Sequence, residues 1–200
     1  MSRALFAAAG VLVAVPAFAA PVLEAEANNT FATANFLTAG EQAAFAGANS
    51  FVFDGVLTGG VIGGPAADVD WMSFDLPTAG YLTAGLFGIP NSIAGDTIMG
   101  LFDSTGAWIA ANDDDNLGNW PALEAQLPAG RYYIVMGHFG DAVTNGASVP
   151  ADWDGRNGNG IQIVADNLQY KLVVGFNAIP TPGAAALLGL GGLALGRRRR

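Results

Sequence analysis

The chain has 200 residues, enough for one domain of ordinary size with its own core once targeting segments are set aside. It holds no cysteine, which excludes disulfides, thiolate nucleophiles and zinc–thiolate sites; with 12% charged residues, 28 glycines and 10 prolines it suits a turn-rich β protein better than a helical bundle or a disordered chain. Of its eight basic residues Arg3 and Arg197 to Arg200 lie in the terminal segments, so the stretch between them sets three cations against all 17 carboxylates, a balance of −14 that repels phosphate backbones and excludes nucleic acid as a partner.

At the N-terminus, Arg3 precedes an uncharged apolar stretch from Ala4 to Val15, then Pro16 and the A-x-A pattern Ala17-Phe18-Ala19. This layout reads as a helical secretory signal peptide over residues 1–19, cleaved ahead of Ala20. The apolar stretch is shorter than the roughly 20 residues a bilayer span needs, which favours cleavage over anchoring. Next come Glu24, Glu26, Asn28 and Asn29, four side chains with hard oxygens within six residues. Such oxygens suit Ca²⁺, which takes about six to eight of them. The alternative is a solvated leader in which Asn28 caps a turn.

From Ala20 to Ala178 short apolar runs are cut by turn residues every ten or so positions, with no long helical period. Strands are predicted at Phe51 to Leu57, Trp71 to Leu76, Gly80 to Phe87, Thr97 to Phe102 and Ala107 to Ala111. Further strands are predicted at Leu123 to Leu127, Arg131 to Gly137, Ile161 to Val164 and Leu168 to Phe176. Alternation places Met72, Phe74 and Leu76 on one face, and Pro77-Thr78-Ala79-Gly80 and Pro128-Ala129-Gly130 are turns that launch the next strand. Many short, evenly spaced strands imply an all-β fold, an antiparallel β-sandwich or jelly roll.

Other candidate chemistry is sparser. Asn112-Asp113-Asp114-Asp115-Asn116 clusters three carboxylates and reads by default as a solvated turn. The run from Asp152 to Gly160 begins like a calcium loop but fails the EF-hand pattern, with Arg156 at its fifth position and Ile163 where the bidentate glutamate belongs. His138 is the one histidine, no serine sits in a G-x-S-x-G elbow, and H-E-x-x-H is absent, so catalysis is not expected. Trp120 and Trp153 fall in loop contexts where an indole could stack on a sugar ring, which makes binding of extracellular polysaccharide the rival reading. Core packing is the expectation for Trp71 and Trp108.

Several of these segments, in this order, resemble the bacterial pre-peptidase C-terminal domain, a β-sandwich module often attached to secreted proteases. They are Glu24 to Thr30 with Ala34, Asp68-Val69-Asp70-Trp71-Met72-Ser73-Phe74, and Asp96 to Asp103 with Gly106. Asn112-Asp113-Asp114 and Leu127 to Tyr133 follow, and the segment Gly140 to Gly160 departs from the pattern as an insertion or long loop. The resemblance implies a non-catalytic accessory domain over residues 20–178. In collagen-binding relatives of this domain an acidic N-terminal segment joins later aspartates around calcium, which implies that Asp68 and Asp70 would complete a set with Glu24, Glu26, Asn28 and Asn29.

The C-terminus has three parts: the stiff linker Ile179-Pro180-Thr181-Pro182-Gly183, an uncharged Ala/Leu/Gly run to Gly196, and Arg197, Arg198, Arg199 and Arg200. The apolar run forms a short, glycine-weakened helix suited to a transient membrane hold. This layout is similar to the PEP-CTERM family of sorting signals, with Thr181 standing where that family has its central glutamate. The resemblance implies an exosortase-like membrane enzyme as partner and delivery to the cell envelope, the cell surface or the extracellular matrix. The combined expectation is an exported, non-catalytic, calcium-stabilised β-sandwich, with carbohydrate binding as the alternative and a secreted hydrolase as a remote third.

Overall fold

The computed structural model describes residues 20–58, 68–88, 96–113, 120–138 and 167–180. The signal peptide, the segment 114–116, Trp153, the loop 140–160, the predicted strand Ile161–Val164 and the tail from Thr181 onward lie outside the described residues.

The described residues form ten strands and one α-helix, in the order β1 (Val22–Leu23), β2 (Asn35–Phe36), α1 (Ala39–Ala48), β3 (Ser50–Leu57), β4 (Val69–Leu76) and β5 (Gly80–Gly88). They continue as β6 (Thr97–Asp103), β7 (Trp108–Asn112), β8 (Ala122–Leu127), β9 (Gly130–His138) and β10 (Leu168–Ala178). The strands form two five-stranded sheets, ordered β1-β3-β10-β5-β8 and β2-β4-β9-β6-β7. The all-β sandwich expected from the sequence is the observed architecture. Every predicted strand within the described residues is present, with ends shifted by one or two residues.

Two features depart from the expectation. The pairings β1 with β3 and β2 with β4 are parallel, so the segment before α1 adds a short edge strand to each sheet. The sheets are otherwise antiparallel. The second departure is α1 itself, which no helical period announced. Its sequence holds a single large apolar residue, Phe45, so it lacks the stripe by which amphipathic helices are recognised. A capping box starts it: Thr38 Oγ1 accepts from Glu41 N, and Glu41 Oε2 accepts from Thr38 N at 2.8 Å. Asn49 ends it in the left-handed conformation (φ 56°). Phe45 docks the helix on the core with ring centroids 5.0 Å from Phe51 and 5.9 Å from Phe74.

The main core fills the space between the sheets, where Phe53, Leu57, Met72, Phe74, Leu82 and Leu172 are among the buried residues. A smaller cluster covers the other face of the second sheet, joining Trp71, Ile98, Phe102 and Val135 with Phe31, Trp108 and Tyr133 packed against them. The second sheet is therefore apolar on both faces, which explains the near-continuous burial of β4, whereas β5 and β10 alternate between core and solvent.

Candidate metal centre

The N-terminal leader crosses one end of the sandwich. Pairing of β1 with β3 continues one residue further, where Glu24 N donates to Asp54 O (3.0 Å) and Glu24 Oε2 accepts from Val56 N (2.7 Å). Glu24 is thus fastened to the first sheet by its backbone and its carboxylate. Four residues on, Asn28 O accepts from Trp71 N (3.1 Å), which fastens the leader to β4 of the second sheet. Between these anchors Asn35 pins the turn, accepting from Ala25 N (3.1 Å) and donating to Ala25 O (2.8 Å).

This path brings carboxylates together. Glu24, Glu26 and Asp70 each place an oxygen within 4.8 Å of the other two. Glu24 is half-buried, Glu26 is exposed, and Asp70 is fully enclosed on β4. Asp70 Oδ2 accepts from the hydroxyl of Tyr170 (2.7 Å), which reaches across the core from β10. Its Oδ1 is buried and accepts from no donor among the described residues, and the Glu24 carboxylate lies close enough to share a proton with Asp70 in a side-chain hydrogen bond. Tyr170 fits there because it pairs with Gly55 in the register of β10 and β3, where a β-carbon would overlap its ring and hydroxyl.

Of the remaining predicted residues, Asp68 stands outside the carboxylate cluster, and Asn28 and Asn29 support it through their amide nitrogens. Asp68 Oδ2 accepts from both the backbone and the hydroxyl of Thr58 (2.6 Å each), which ties the start of β4 to the end of β3. Asn29, with its amide nitrogen turned inward, donates to Asp68 Oδ1 (3.0 Å) and Val69 O (3.2 Å). Asn28 is fully buried and spends its amide as a donor, to Asn35 Oδ1 (3.0 Å) and Glu24 Oε1 (3.5 Å). Three of the four predicted carboxylates therefore converge, and Asp68, Asn28 and Asn29 make the hydrogen bonds around them. Val56, Thr58, Asn35 and Tyr170 were not singled out from the sequence. Each acts through a tertiary contact, and no local pattern marks it.

The electrostatics follow from the crowding. Burial, then the neighbouring Glu24 carboxylate, pushes the Asp70 pKa up to about 10, against the lowering hydrogen bond from Tyr170. Burial and the negative charges of Asp68 and Glu24 also raise Glu26. Burial and the adjacent Asp70 push the Tyr170 phenol well above its ordinary value, so it remains a donor. A buried carboxyl group facing two other carboxylates needs a proton or a cation. The donor set consists of carboxylate oxygens, and hard oxygens suit Ca²⁺ or Mg²⁺ rather than zinc or copper.

The other candidates lie elsewhere. His138 is buried at the end of β9, and Trp120 is half-buried and packs against the main core. Trp71 is buried and Trp108 packs beside it, both in the smaller cluster. Of the 112–116 run, Asn112 closes β7 and Asp113 follows it. Pro180 ends the described residues.

The fold and this cluster define a two-sheet β-sandwich with a carboxylate centre built by its N-terminal leader. No protein-family model matches the chain, and no curated protein matches its sequence. Among solved structures, the chain is similar to the pre-peptidase C-terminal domain of a collagenase from Bacillus anthracis (15% identity, 62% of this chain and 88% of that one, TM-score 0.39). It is similar also to a periplasmic inhibitor of g-type lysozyme from Aeromonas hydrophila (16% identity, 64% and 87%, TM-score 0.39). A third is the Yersinia pseudotuberculosis-derived mitogen (13% identity, 67% and 91%, TM-score 0.34). At these identities and scores, nothing those proteins do transfers to this chain.

Proposed function

We propose that this chain is an exported, non-catalytic protein of the cell surface or extracellular matrix whose sandwich is locked by one calcium ion at Glu24, Glu26 and Asp70. The observation that carries the metal reading is the convergence of three carboxylates, Glu24, Glu26 and buried Asp70, whose Oδ1 accepts from no donor among the described residues. A cation there would link three parts of the chain: the leader, held on β3, the second sheet through β4, and β10 through Tyr170. The non-catalytic reading is supported by the burial of His138 and by carboxylates that converge on one point instead of opposing each other across a cleft. Export and sorting rest on the sequence of the two termini: Arg3 with Ala17-Phe18-Ala19, and Pro180-Thr181-Pro182 with the arginine cluster.

Two experiments test this function. Metal analysis of the full-length protein after dialysis against micromolar calcium is expected to return one calcium per chain, and none in Glu26→Ala/Asp70→Asn. Retention of metal by that double variant would move the site. Fractionation of host cells is expected to place the chain in the envelope or matrix fraction, and to shift it when Arg197 to Arg200 are replaced by serine. An unprocessed cytoplasmic chain would refute the export reading.

A further inference from the structure

The outward face of the first sheet has a composition of its own. Along β5, Tyr81, Thr83, Gly85 and Phe87 point outward, with Tyr81 54% and Phe87 53% exposed. Across the strand pair, Phe87 lies opposite Lys171, Gly85 opposite Val173, Thr83 opposite Gly175 and Tyr81 opposite Asn177. On the other side of β5, Thr83 lies opposite Glu124 and Tyr81 opposite Gln126. The two glycines keep the middle of this face low. A β-carbon at Gly85 would stand 3.1 Å from Phe87 Cε2, so the ring leans back along the strand and covers the glycine. A β-carbon at Gly175 would stand 2.9 Å from Thr83 Oγ1. The outcome is a shallow platform with an aromatic residue near each end of β5, their α-carbons roughly 20 Å apart at the rise of an extended strand. Hydroxyl and amide groups lie between and beside the rings.

Charge and polarity identify the kind of occupant. Among the described residues the cation on this face, Lys171, is held by Asp54 at 2.6 Å, and Glu124 beside Thr83 adds a second carboxylate, so the face is acidic like the body of the chain, which carries −14. An acidic polymer is repelled by that body. A second copy of the chain would want a contiguous apolar patch at the centre of its interface; here Val173 is the one large apolar side chain between the rings among the described residues, and Thr83, Glu124, Asn177, Gln126 and two glycines break the patch. Separated flat aromatics with amides and hydroxyls between them match a chain of uncharged sugars, whose C–H faces stack on rings while their hydroxyls bond to amides.

We propose that this face binds a neutral polysaccharide laid along β5, with Phe87 and Tyr81 as its stacking platforms. The site is independent of the metal centre and differs from the one expected at Trp120 and Trp153.

Affinity electrophoresis of the full-length protein tests it, in gels containing hydroxyethylcellulose, dextran or galactomannan, with alginate as the acidic counterpart. Retardation is expected in at least one neutral polymer and not in alginate. Phe87→Ala and Tyr81→Ala should each weaken it on the order of tenfold, the size of one lost aromatic stack, with unchanged thermal midpoints. Phe87→Trp should retain binding, and Gly85→Val, which lifts the ring, should lose it. Failure of every neutral polymer to retard the protein would overturn the proposal. So would retardation by alginate alone, unaltered retardation of the Phe87→Ala/Tyr81→Ala double variant, or a dimer in sedimentation that Phe87→Ala dissolves.

Discussion

Asp70 shows how one position can hold a liability that makes chemical sense only with a partner. Its raised pKa means that the metal-free folded state keeps a proton which the unfolded chain, near the ordinary value of 3.8, has already lost. From about pH 4 upward the folded state therefore binds more protons than the unfolded one, so this group's contribution to stability falls as pH rises toward its folded value of about 10. In chelator, the unfolding midpoint of the wild type is expected to drop between about pH 5 and pH 8 relative to that of Asp70→Asn, which has no such proton to lose. Parallel pH profiles for the two proteins would contradict this. Asp70→Asn should be no less stable than wild type without metal, since the amide still accepts from Tyr170. Tyr170→Phe should cost about 1–3 kcal/mol in urea unfolding, because it removes the donor to the buried Asp70 Oδ2. Asp68 and Asp70 were legible as site residues through resemblance alone. Local spacing could not show that Asp68 would be spent on Thr58 while Asp70 turned inward.

Among the elements, the strands were legible and the helix was not. Alternation such as Met72, Phe74 and Leu76 reports a sheet face directly, and those three side chains lie in the main core. α1 is held by one ring and a capping box, and neither sets up a helical period. Phe45→Ala is expected to cost about 3–5 kcal/mol, measured by urea unfolding, since it empties a site lined by Phe51, Phe74 and Phe176. Thr38→Ala should cost only about 1 kcal/mol. Equal losses for the two would mean that capping, not docking, holds the helix. The parallel edge strands β1 and β2 are two residues each, too short for any period to register, and their placement depends on Glu24, Asn28 and Asn35.

For the molecule as a whole, composition and turn spacing were enough to expect the sandwich, because every strand had to bury one face and no cysteine could staple the fold. They could not show that the leader would close one end of that sandwich, since this closure joins residues far apart in the chain, Val56 with Glu24 and Tyr170 with Asp70. The central claim is that a cation completes this closure, and the most direct measurement is thermal unfolding of the full-length protein against calcium concentration after chelation. A metal bound only by the folded state adds about 2.7 kcal/mol at a hundredfold excess over Kd, or roughly 5–10 °C for a domain of this size. The account predicts a saturable rise of that order, lost in Glu26→Ala/Asp70→Asn and kept in Phe87→Ala. A midpoint that does not move with calcium in the wild type would contradict it and leave Asp70 holding a proton instead of a metal.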